Sequence, residues 1–78
     1  MTVVVETAGP LTYVGRFDTE DQSGVHLLDV GVHDSASGGT REEFVRRSAR
    51  FGVRTDRKHL IVPRGEVSRI TRLGEIES

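Results

Sequence analysis

The sequence predicts a mainly β chain: a small, strongly bent five-stranded antiparallel barrel with one short helix inserted before the fourth strand. Three observations carry this. Short β-branched or alternating runs recur along the chain, separated by Gly, Pro and small polar residues. One segment, opening at Thr40-Arg41-Glu42-Glu43, has the pattern of a capped helix instead. And the chain is only 78 residues with 35% apolar composition, so a flat five-stranded sheet would leave one face uncovered.

Each element can be justified in turn. Val3 to Thr7 is β-branched apart from Glu6 and reads as the first strand. Ala8-Gly9-Pro10 is a turn signal. Leu11 to Thr19 reads as the second strand, with Leu11, Tyr13, Gly15 and Phe17 on one face and Thr12, Val14, Arg16 and Asp18 on the other. Gly15 is mid-strand, where a missing side chain marks a bend or a close backbone approach. Glu20 to Gly24 is a polar hairpin loop. Val25 to His33 is the third strand, with Leu28, Val30 and Val32 expected on one face and sharing a core with Tyr13 and Phe17.

Asp34 to Gly39 is small and polar. From Thr40 the spacing predicts a helix over 41–50, with Thr40 capping the Glu43 amide and Glu43 returning to the Thr40 amide. Phe44, Val45, Ser48 and Ala49 would face inward. Acids open this segment and Arg46, Arg47 and Arg50 close it, as the helix dipole prefers, and Gly52 is a plausible stop. A continued strand competes with this reading, because Phe44-Val45-Arg46-Arg47 can also be extended. His59 to Val62 is a short buried strand ended by Pro63-Arg64-Gly65, Val67 to Leu73 is the last strand, and 74–78 is a tail.

Composition limits the function classes. No cysteine is present, so disulfides and thiolate metal sites are excluded. No apolar run reaches the roughly 18–20 residues of a membrane helix. Met1 to Val5 lacks the basic and apolar regions of a secretory leader, so the expected compartment is the cytoplasm. His26, His33 and His59 match no recognised metal spacing, Gly38-Gly39 is no phosphate loop, and no nucleophile elbow occurs; neither metal, cofactor nor enzymatic activity is expected. Without staples, a chain this short needs oligomerisation or tolerates marginal stability.

Charge is split along the chain. Residues 1–39 hold Arg16 against six acids, a net −5; residues 40–78 hold ten bases against six acids, a net +4. Three readings stay open: a basic face for an anionic partner, pairing of unlike halves between subunits, or arginine-rich codon usage.

The order and spacing of these runs resembles the Sm-like (LSm) family, within the broader class of small SH3-like barrels. The first Sm motif would be Val3-Val4-Val5, then Leu11-Thr12-Tyr13-Val14-Gly15-Arg16-Phe17, then Asp21, then Val25-His26-Leu27-Leu28-Asp29-Val30. The second would be Leu60-Ile61-Val62-Pro63-Arg64-Gly65-Glu66-Val67-Ser68-Arg69-Ile70. The family's usual Asn at the head of the third strand is absent. The resemblance implies a single Sm-like domain over 1–74, with a variable insertion at 34–58 and a tail at 75–78. It further implies a homo-oligomeric ring built by pairing fourth and fifth strands. Single-stranded RNA would be bound at Asp21, His26, Arg64 and Gly65. The alternative is a structural or regulatory protein-interaction module without nucleic acid.

Overall fold

The computed structural model describes residues 1–75. The expected tail at 75–78 lies outside these, except that Glu75 closes a short 3-10 turn, Leu73–Glu75. The chain is mainly β: β1 (Thr2–Thr7), β2 (Leu11–Asp21), β3 (Gly24–Asp34), α1 (Arg41–Phe51), β4 (Arg57–Val62) and β5 (Val67–Arg72), with a 3-10 turn Arg64–Glu66 between the last two. The strands form one antiparallel sheet in the order β4-β3-β2-β1-β5.

The sheet is not closed into a barrel, because β4 and β5 are its two open edges and do not pair with each other. It is nevertheless strongly bent. Five strands spaced about 4.8 Å apart put the edges of a flat sheet about 19 Å apart. Only Pro63 to Glu66 joins those edges, and three of these four residues coil into the 3-10 turn, closed by Glu66 N donating to Pro63 O at 2.9 Å. That link is too short for a flat sheet, so the edges curl toward each other over a concave core. Val3, Val5, Val25, Leu27, Val30 and Val62 are buried in it, with Tyr13, Phe17, Val32, Leu60 and Val67 packed around them.

The convex face carries a second core. Val4, Val14 and Val45 are buried together, flanked by Phe44, Val53 and Leu73, so α1 covers this face. The helix forms as its caps predict. Thr40 Oγ1 accepts from Glu43 N at 3.1 Å, and the Gly52 N–H donates to Ser48 O at 3.0 Å. The return bond from the Glu43 carboxylate is not formed among the described residues. Val45 and Ser48 are buried, Phe44 and Ala49 half-buried. A strand through 44–47 is thereby excluded.

One core assignment is corrected. Leu28 is half-buried and belongs to neither core, while its neighbour Leu27 is fully buried. The β2–β3 register explains this. Val14 pairs with Gly31 and Arg16 with Leu28, so β3 holds one extra residue there, and Asp29 takes a left-handed φ of 50°. This bulge reverses the inward phase between Val30 and Leu27. A second bulge, between Phe17 and Thr19, restores the balance on β2. Gly15 sits at the first bulge, where an added Cβ would lie 3.1 Å from the Leu28 carbonyl oxygen. The mid-strand glycine therefore marks a close backbone approach.

Candidate functional site

Three of the four residues expected to contact a ligand meet others at one corner of the sheet. The corner is built from the β2–β3 hairpin and the start of the β4–β5 link. The hairpin is tighter than its polar run suggested: Glu20, Asp21 and Gly24 lie within strands, and only Gln22-Ser23 turn. Gly24, at φ 136°, brings the hairpin against β4; a Cβ there would sit 2.2 Å from the Val62 carbonyl oxygen.

Asp21 organises the turn. Its Oδ1 accepts from Ser23 N at 2.8 Å, an Asx-type closure. Its Oδ2 lies 3.0 Å from His26 Nε2. That contact is short but off-axis, since the buried Nε2 meets no acceptor along a well-aligned N–H direction. The neighbouring His26, and secondarily the Ser23 amide, hold the Asp21 carboxyl below the ordinary carboxylate range.

His26 is mostly covered, its side chain 14% exposed. Its other nitrogen, Nδ1, lies 3.3 Å from His59 Nε2, and the two rings stack with centroids 5.4 Å apart at 27°. His59 itself is exposed. The sequence reading missed it as a partner of His26, because 33 residues separate the two and only the β3–β4 register, His26 with Ile61 and Leu28 with His59, brings them together.

Arg64 is exposed at the same corner, but not free: its Nε lies 2.9 Å from Glu20 Oε2, an ion pair. Glu20 was likewise missed. Gly65 makes no comparable contact; a Cβ there would meet nothing within 4 Å, so the chain's own packing does not demand glycine at that position. With Glu20, Asp21 and Glu66 nearby in sequence and fold, the corner is not a purely basic surface.

Among the described residues, unpaired positive charge is spread over α1 and the segment after it (Arg47, Arg50, Arg54) and over both open edges. Arg57 and Lys58 on β4 and Arg69 and Arg72 on β5 have no carboxylate within 4.0 Å among the described residues. A cleft of about 460 Å³ also opens between α1 and the β1–β5 pair, floored by Val4 and Val45 and rimmed by Glu6, Arg41, Arg46 and Arg69. Arg41 and Arg46 are engaged with Glu6 and Glu42 there.

Among the described residues no helix is long and apolar enough to cross a membrane. The chain matches none of the protein-family models, curated proteins or solved structures with which it was compared.

Proposed function

We propose that this chain is an Sm-like, self-assembling β module that pairs its β4 edge with the β5 edge of another copy, forms a ring, and binds single-stranded RNA. The observation that carries the reading is the pair of open edges. They have equal length, Arg57–Val62 and Val67–Arg72, and the concave core opens toward solvent at both. Ile70, opposite fully buried Val5, is 41% exposed; Leu60, opposite fully buried Leu27, is only half-buried. Edge pairing would cover these side chains and satisfy the free strand backbone. Because the two edges differ, the contact is head-to-tail, and it closes into a ring when the rotation permits.

RNA is favoured as the ligand by charge. Joining two edges that carry Arg57, Lys58, Arg69 and Arg72 concentrates cations, which a polyphosphate would offset. Arg64 and the exposed His59 ring offer a guanidinium and a stacking surface at the neighbouring corner. The Arg64–Glu20 ion pair favours the second reading, a protein-interaction module in which that arginine only braces the hairpin.

Light scattering on the full chain tests assembly, and fluorescence anisotropy with short single-stranded RNA at about 50 mM salt, where phosphate contacts are strong, tests the ligand. A ring-sized particle whose RNA affinity falls steeply with salt is expected. An Arg64→Ala variant that stays assembled but loses affinity, with a shallower salt slope, assigns Arg64 to the RNA surface. An assembled protein without RNA affinity leaves the interaction module. A stable 8.6 kDa monomer at micromolar concentration removes the ring.

A further inference from the structure

We propose that His26 and His59 form a binding site for a divalent transition metal of the zinc, nickel or copper class, with His26 Nδ1 and His59 Nε2 as the two protein ligands. Two nitrogens each bonded at about 2.0–2.1 Å to a tetrahedral zinc ion are held about 3.3–3.4 Å apart. His26 Nδ1 and His59 Nε2 are 3.3 Å apart across neighbouring strands. The pair is joined by a hydrogen bond in which one of these nitrogens carries the proton; an ion would displace that proton and take its place between two nitrogens already at the separation it needs.

The nitrogen pair is also supported on its far side. Metal-binding imidazoles commonly place a carboxylate or carbonyl against the ring nitrogen that does not bind the metal, which fixes the tautomer and the ring orientation. Asp21 Oδ2 stands 3.0 Å from His26 Nε2, the nitrogen facing away from His59. In the tautomer that carries its proton on Nε2, Nδ1 turns its lone pair toward His59; Asp21 Oδ2 is close to that Nε2, and a small ring rotation would align the two. Asp21 is itself anchored by the Ser23 amide. One histidine is thus held in a covered pocket and the other is exposed on an open edge strand, where an ion can enter.

The chemistry follows from the donor set. Imidazole nitrogen selects zinc, nickel and copper over magnesium and calcium. Among the described residues no group of three or more potential ligands is assembled. The ion would accordingly keep two positions of a tetrahedron open to water or to an incoming ligand, and its affinity would be that of an accessible two-histidine site, not of a structural zinc centre. His33, the third histidine, provides an internal control. It stacks on Phe44 at a centroid distance of 5.0 Å, beside α1 and apart from the pair.

The test is titration of the 78-residue chain with zinc chloride, followed by calorimetry and by the ring-nitrogen NMR signals of the three histidines. One ion per chain is expected, with large shifts at His26 Nδ1 and His59 Nε2 and none at His33. His59→Ala and His59→Gln, changes at an exposed position, should weaken binding at least tenfold, while His33→Ala binds as the parent does. Asp21→Asn should weaken it by about tenfold while stoichiometry is kept, as loss of an orienting carboxylate does. Absence of binding at millimolar zinc, equal shifts at all three histidines, or unchanged affinity in both His59 variants would overturn the proposal. The readouts do not involve RNA or ring size, so they stand apart from the outcome of those experiments.

Discussion

Arg41, in the first turn of α1, donates through Nε to Thr12 Oγ1 at 2.6 Å, and Thr12 is completely buried in β2. The same guanidinium donates through Nη2 to the carbonyls of Thr7 and Gly9 at 3.1 and 2.8 Å. One side chain therefore ties the helix to the β1–β2 turn, in the fork geometry that only arginine supplies. It also satisfies a buried hydroxyl oxygen that faces the helix.

Arg41→Ala should destabilise the chain by about 2–3 kcal/mol, because charge-assisted bonds are lost and Thr12 is left without this partner. Arg41→Lys should recover less than half of that. Urea denaturation of the two variants checks both statements, and a loss below about 0.5 kcal/mol for the alanine variant would show that the clamp is incidental.

Leu27→Ala should cost about 2–5 kcal/mol, the range for a fully buried leucine, and Leu28→Ala clearly less. Equal losses, or the reverse order, would place the β3 bulge at a different residue. This pair tests the phase reversal at Asp29 without touching any site residue.

Gly24→Ala should be among the most damaging single substitutions. The new Cβ would lie 2.2 Å from the Val62 carbonyl oxygen, at a backbone φ of 136°. A loss above about 2 kcal/mol is expected, from strain and from displacement of β4. Gly65→Ala, where a Cβ meets nothing within 4 Å, should leave thermal unfolding almost unchanged.

Tyr13 is the single tyrosine, so its ionisation can be followed by tyrosinate absorbance without overlap. Burial, and secondarily the negative charge of Glu66, push its pKa above the ordinary 10.0. The folded state therefore favours the neutral phenol. This stabilisation is complete below the unfolded pKa and is lost as pH rises through the higher folded value. Stability should decline in strongly alkaline solution, and Tyr13→Phe should flatten that decline. A tyrosinate titration at or below the free-phenol midpoint would contradict it.

Much of the architecture was legible locally. Strand-forming residues, Ala8-Gly9-Pro10, and the Thr40 and Gly52 caps act within a few residues of chain, and each element appears within two residues of its expected bounds, the largest departures being the end of β2 and the start of β4. The hairpin was read too loosely because Glu20, Asp21 and Gly24 are polar or small. They pair across the hairpin as Glu20 with Val25 and Asp21 with Gly24, and on the far side β3 is held there by Val62, which pairs with Val25 and whose carbonyl closes on Gly24.

What the sequence determined by itself, then, was the kind and order of elements, because periodicity, caps and turn chemistry are short-range. The tertiary structure alone decided which leucine of β3 is buried, since a bulge depends on the register of two strands. It alone joined Arg41 to Thr12, Arg64 to Glu20 and His26 to His59. These contacts span 29, 44 and 33 residues, and nothing in the intervening chain encodes them; they follow from the docking of α1 on β2, from the β4–β5 link reaching the β2–β3 hairpin, and from the β3–β4 register respectively.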